Sequence, residues 1–165
     1  MKNVFYYTFP VGGIGIAEEA GKISGVFFRT DKKKQPKAAD CITAETPLIK
    51  KTAKELKEYF EGKRKKFDIP LLLKGTDFQL SVWKALQKIP YGKTRSYKET
   101  AGMAGNPKAC RAAGMANNRN PIAIIIPCHR VIGSDGSLTG YGGGLEKKQY
   151  LLELEQGIHS SAPAR

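Results

Sequence analysis

The chain has 165 residues, enough for one compact domain or two small lobes with a real core. Its 28 Lys and Arg against 15 Asp and Glu give a net charge of +13. That balance favours a polyanionic partner, because cations that neutralise phosphates release condensed counterions. Three scattered cysteines exclude a disulfide scaffold, two histidines (His129 and His159) exclude a multi-histidine metal site, and no apolar run is long enough to span a membrane. With no signal-peptide pattern at its start, the protein is expected to be cytoplasmic.

Asn3 to Phe9, Ile14 to Ile16 and Ile23 to Phe28 are β-prone runs separated by Gly12-Gly13 and by the polar segment from Glu18 to Lys22. They predict a meander of short antiparallel strands. Residues 31–46 are polar and lysine-rich and read as a loop, with a short strand near a structural Cys41. Pro47 opens a helix whose stripe is Leu48, Ile49, Thr52, Leu56, Tyr59 and Phe60, and Gly62 closes it. Residues 67–75 read as an extended linker, so the chain divides into a sheet-bearing lobe over 1–75 and a helical lobe over 76–157, with a disordered tail at 158–165.

Thr76-Asp-Phe-Gln79 is a capping box and starts a helix that Pro90 ends. Ser96-Tyr-Lys-Glu99 is a second, starting a short helix that Gly105 should stop in a left-handed conformation. Asn106-Pro107 supplies an N-cap and a first-turn proline, so the next helix is expected to run from there to about Ala116. Two short helices joined by a glycine turn form a helix-turn-helix pattern. In the second, Ala109, Ala112, Ala113 and Ala116 should face inward and Lys108, Arg111 and Met115 outward. From Lys84 to Arg130 nine basic residues stand against one acid, Glu99.

Asn120-Pro-Ile-Ala-Ile-Ile-Ile-Pro-Cys-His-Arg130 is an apolar run bounded by prolines that reads as a buried strand or extended segment. It delivers Cys128, His129 and Arg130 at its end. A thiol reacts as thiolate and needs a base or a cation nearby. His129 is adjacent, but side chains alternate along an extended segment, so the two should act through a water molecule. A carboxylate behind the imidazole would hold its tautomer, and Glu146, Glu153 and Glu155 are all candidates. A packed thiol beside a surface imidazole is the alternative. The glycine-rich 131–144 segment can bring backbone amides close to a ligand, and the last helix, residues 145–156, should bury Leu145 and Leu152.

Pro127-Cys-His-Arg130 in this setting resembles the active-site signature of the O6-alkylguanine-DNA alkyltransferases, the methylated-DNA-protein-cysteine methyltransferases. Gly75-Thr-Asp-Phe-Gln79, Val82-Trp83, Ile89-Pro-Tyr-Gly-Lys93, Ser96-Tyr97, Ala104 to Ala109, Arg111-Ala112 and Gly140 to Leu145 carry the likeness onward to Glu155. Tyr59-Phe-Glu-Gly62 and the meander match more loosely. The resemblance implies an α/β (α+β) fold, with a small ribonuclease-H-like lobe bearing an antiparallel sheet and a mostly helical lobe bearing the helix-turn-helix. It implies single-turnover repair by direct reversal, in which Cys128 takes the alkyl group from O6-alkylguanine, and from O4-alkylthymine, in double-stranded DNA. His129 would take the thiol proton through water, Glu155 would orient the imidazole, Asn120 would order the segment, and Tyr97 would donate towards the leaving guanine. Arg111 would fill the stack emptied by nucleotide flipping, on a helix entering the minor groove with Asn106, Lys108, Ala109 and Gly114. Tyr141, Gly142 and the Val131 carbonyl would line the base pocket. No cofactor is implied, and a lobe with no histidine and only Cys41 predicts no zinc. The protein is expected to be a monomer. Gly142 stands where some relatives carry serine, which suggests a looser pocket. An alkyltransferase-like damage-binding protein and a helix-turn-helix regulator lack the thiol, and a cysteine hydrolase would turn over.

Overall fold

A computed structural model describes residues 1–158; the expected tail lies, apart from Ile158, outside the described residues. Strands β1 (Lys2–Phe9), β2 (Gly12–Glu19) and β3 (Lys22–Phe28) form the antiparallel meander, and the short β4 (Cys41–Thr43) adds parallel to β1 in the order β3-β2-β1-β4. Helix α1 (Pro47–Phe60) packs on one sheet face with Ile49, Ala53, Leu56, Tyr59 and Phe60 buried. Thr46 caps it by accepting the Ile49 amide at 3.1 Å, and Pro47 fills the first turn, where no amide donor is needed.

The extended 67–75 segment runs along β3. Ile23 donates to the Pro70 carbonyl, and Leu72 donates to that of Ile23. Helix α2 (Asp77–Leu86) starts on the expected capping box and gives way to a turn before Pro90. Helix α3 (Tyr97–Met103) starts on the second capping box, and Gly105 ends that turn at φ +95°. Helix α4 (Cys110–Asn118) follows and α5 (Leu145–Glu155) closes the described chain, while strands β5 (Arg95–Ser96) and β6 (Val131–Ile132) pair in parallel beside the turn that carries Cys128. The Trp83 indole donates to the Ala116 carbonyl at 2.8 Å and ties α2 to the end of α4.

One apolar core runs through both halves, joining Ile14, Ile23, Val26 and Leu56 to Val82, Leu86, Ile122, Ile126 and Leu151. Backbone pairing reinforces it, since Val26 donates to the Pro121 carbonyl and accepts from the Ala123 amide. The inner side of α5 departs from expectation: Leu145 is exposed and Leu152 half-buried, while Lys148, Leu151, Leu154 and Glu155 are buried. Two charged groups can face the core there because each finds partners inside, and a search for an apolar stripe passes over them.

Candidate active site

The isoleucine run is a tight buried turn and not a strand. Asn120 makes it so: its carboxamide nitrogen donates to the Ile126 carbonyl at 2.8 Å, and its oxygen accepts from the Ile122 amide at 3.0 Å. The Ile126 amide closes the turn on the Ile122 carbonyl, and Ile124 sits at φ +71°. A β-branched residue in that region costs about 1–3 kcal/mol, which burial of its side chain offsets. Apolar burial was legible in the sequence, but the side-chain clamp that bends the backbone was not.

Cys128–Arg130 form one 3-10 turn, all three buried. With three residues per turn, neighbouring side chains project about 120° apart, so Cys128 and His129 diverge as an extended segment would also have made them. Asn117, on α4, donates to the Cys128 carbonyl at 3.3 Å and anchors the turn.

Glu155 is the hub behind it. His129 Nε2 lies 2.6 Å from its Oε2, and Arg130 donates to it through Nε at 2.8 Å and through a terminal nitrogen at 3.0 Å. The Tyr59 hydroxyl donates at 2.5 Å and the Gly92 amide at 3.2 Å. Burial alone would raise this carboxyl, but His129 and Arg130 outweigh it and hold the group well below the usual carboxylate range. Of the three candidate carboxylates, Glu155 is the one paired with the imidazole.

Burial pushes His129 below the ordinary imidazole value even against Glu155, so the ring is neutral at neutral pH. Its Nε2–H then points to the carboxylate. Nδ1 has no partner among the described residues and keeps its lone pair for a proton. Burial likewise pushes the Cys128 thiol up, while Lys34, the Asn120 side chain and Lys148 pull it down without cancelling that effect. At rest the site is a thiol and a neutral base.

A cleft of about 780 Å³ has walls that include Asp31, Lys34, Met115, Arg119, Tyr141 and Gly142, and two of these, Lys34 and Tyr141, interact with the Cys128 thiol. The buried Tyr141 hydroxyl, with no conventional hydrogen bond, faces Cys128. Gly142 gives no looseness, because the Asp31 carboxylate occupies the place where a side-chain carbon would stand. Tyr97 donates its hydroxyl to the Thr139 carbonyl at 3.0 Å. The fully buried Lys148 donates to the same carbonyl at 2.8 Å, and burial lowers its pKa to about 8. Val131 is held by its pairing with Arg95 in the two-stranded sheet.

The second helix of the helix-turn-helix starts later than expected. Asn106 accepts the Lys108 amide at 3.2 Å and so caps a turn, and α4 begins only at Cys110, running on to Asn118. Its inner side is Ala113, Ala116 and Asn117, with Ala109 half-buried just before it. Ala112, expected inside, is exposed with Arg111 and Met115: the inner face is centred on Ala113, Ala116 and Asn117, which leaves position 112 at its edge, about 90° from the centre. Asn106 and Lys108 are exposed beside them, and Gly114 lies against the Tyr97 ring.

Three contributors lay beyond the sequence reading: Lys34, Lys148 and the Tyr59 hydroxyl. Tyr59 stood in an apolar stripe that revealed its ring but not its hydroxyl bond. Lys34 stood in a lysine-rich loop, and Lys148 carried no signal in the sequence.

A sheet lobe joined to a helix-turn-helix lobe, with a buried Cys-His-Glu constellation between α4 and a glycine-rich loop, defines a helix-turn-helix protein with a cysteine-centred site. Residues 4–73 match the ribonuclease-like domain of 6-O-methylguanine DNA methyltransferase, and residues 77–157 match its DNA binding domain. The chain belongs to the methylated-DNA–protein-cysteine methyltransferase family. It is 53% identical over 147 residues to the enzyme of that name from Methanosarcina barkeri, covering 89% of this chain and 92% of the relative. The constitutive enzyme of Bacillus subtilis is 46% identical over 157 residues, covering 92% and 95%. The Mycobacterium tuberculosis OGT crystallised with DNA superposes at a TM-score of 0.86 with 44% identity, covering 98% of this chain and 96% of that one. Among the described residues no helix is long and apolar enough to cross a membrane.

Proposed function

We propose that this protein repairs double-stranded DNA by direct reversal, transferring the alkyl group of O6-alkylguanine, and of O4-alkylthymine, to Cys128. The observation that carries the reading is the buried Cys128 beside a neutral His129 whose Nε2 is engaged by Glu155 and whose Nδ1 has no partner among the described residues. His129 takes the thiol proton through a bridging water, and Glu155 stabilises the imidazolium that forms. The thiolate attacks the alkyl carbon in line, a carbon–sulfur bond forms, and the carbon–oxygen bond breaks. Its electron pair leaves on guanine O6, and the departing base regains a proton, with Tyr97 as the nearby donor. The thioether is stable, so each molecule acts once as a monomer.

The alkyl carbon is out of reach inside the stack, so the nucleotide must be flipped into the cleft, where Tyr141, the Gly142 backbone and the Val131 carbonyl receive the base. Flipping costs about a few kcal/mol. The small residues Ala109, Ala112 and Gly114 suit close approach of α4 to a narrow minor groove, Asn106 and Lys108 reach the backbone, and Arg111 fills the vacated stack. In this reading the helical lobe, 76–157, carries out the chemistry, and the 1–75 lobe supports it.

Titrating a fixed amount of protein with duplex carrying one O6-methylguanine should give one lesion repaired per molecule and then no more. Continued turnover would point to a hydrolase instead. Arg111→Ala should slow transfer on duplex about tenfold or more, with little effect on a single-stranded oligonucleotide that has no stack to fill. Equal slowing on both substrates would remove Arg111 from the flipping step.

A further inference from the structure

The loop after β3 sends a charged group into the site from the other lobe. The Lys34 ammonium is held 2.5 Å from the carbonyl of Asn120, the residue whose side chain shapes the turn leading to Cys128. Asp31 starts the same loop and lies against Gly142. Burial lowers the Lys34 pKa while Cys128 and Asp31 raise it, and Lys34 is the strongest of the groups that favour the Cys128 thiolate. Neither the helix-turn-helix nor the Cys128–Arg130 turn supplies that cation.

We infer that Lys34 is a positioning residue for alkyl transfer: seated on the Asn120 carbonyl within electrostatic reach of Cys128, it ties the sheet lobe to the nucleophile and favours the thiolate. The inference rests on the reading of Cys128 as nucleophile. Other charged and titratable groups also face the thiol: Lys148 from α5, Tyr141 from the glycine-rich loop, and His129, with Glu155 and Arg130 behind it, from its own turn. Lys148 acts in the same direction as Lys34 but is hydrogen-bonded to Thr139, on the far loop. Among the charged groups of the described residues, Lys34 both pulls on the thiol and holds the backbone of the turn before it, and the Asn120 side chain does the same without a charge. Charge and anchoring can therefore be separated by substitution, because a glutamine keeps a donor for the Asn120 carbonyl and loses the charge.

The test is a pH titration of the Cys128 thiolate by its ultraviolet absorbance in the absence of DNA, taken as the difference from Cys128→Ala in each background. Lys34→Gln should raise the midpoint by about one pH unit, roughly a tenfold loss of thiolate below both midpoints. Lys34→Arg should restore it, and transfer to Cys128 from a methylated oligonucleotide should follow the same shift in its pH profile. An unchanged midpoint in Lys34→Gln would overturn the inference, even if repair slowed, since it would leave Lys34 with an anchoring role only. Failure of the wild type to take up a methyl group would instead overturn the alkyl-transfer reading, while leaving the thiolate titration intact as a measurement of Lys34.

Discussion

Glu155→Ala is expected to lose about 3–5 kcal/mol of stability and, with it, nearly all transfer activity. The carboxylate accepts from Tyr59 on α1, from the turn after α2 at Gly92 and from both His129 and Arg130, while standing on α5. Alanine would leave a guanidinium, an imidazole N–H and a phenol without their acceptor in a buried space. A loss of that size lowers the melting temperature of a domain this large by roughly 10 °C. Glu155→Gln keeps the volume and one acceptor, so its loss of stability should be smaller while the imidazole loses its anionic partner. Thermal melts of the two variants check this; a Glu155→Ala protein that melts with the wild type would show that the cluster does not join the lobes.

The same groups set the response to acid. Glu155 has a folded pKa below its usual 4.5, so its contribution is fully present above that value and is lost as pH falls through the folded value. His129 is also lowered, from 6.5, so below that value the unfolded chain takes up a proton that the buried ring resists. Both effects act in one direction, and wild-type stability should decline as pH falls below about 6.5.

Cys128→Ala is expected to abolish transfer while leaving the fold and lesion binding in place. The buried thiol is protonated at rest, so alanine removes one polarizable atom and no charge, at a cost of about 1 kcal/mol. Cys128→Ser should be almost as inactive, because a hydroxyl is far harder to deprotonate than a thiol, and a loss of about a thousandfold or more is anticipated. Band shifts on lesion-bearing duplex would then report tight, unproductive complexes for both variants. Residual single-turnover repair by Cys128→Ala would move the chemistry to Cys110, which is exposed at the start of α4, or to Cys41.

Legibility in the sequence followed the reach of each interaction. Capping boxes at Thr76 and Ser96, the proline of α1 and the glycine after α3 are local devices, and each marks an element that forms there. The start of α4 was misplaced because Asn106 has the chemistry of a helix cap and uses it to close a turn. The turn over residues 121–126 read as a strand because periodicity registers burial but not the Asn120 clamp. Cys128 and His129 stood out as types of residue, whereas residue types alone left Glu146, Glu153 and Glu155 open; the resemblance pointed to Glu155, and the deciding contact spans 26 positions from His129. Lys34 lies further still from the thiol in sequence, inside a run of lysines that composition alone assigns to solvent.

Intact-mass analysis with peptide mapping, after incubation with duplex carrying one O6-methylguanine, tests the central claim most directly. The account predicts a permanent gain of one methyl group per protein, located on Cys128, with unmodified guanine restored in the DNA. Repaired DNA beside unmodified protein, or a methyl group on Cys41 or Cys110, would contradict it.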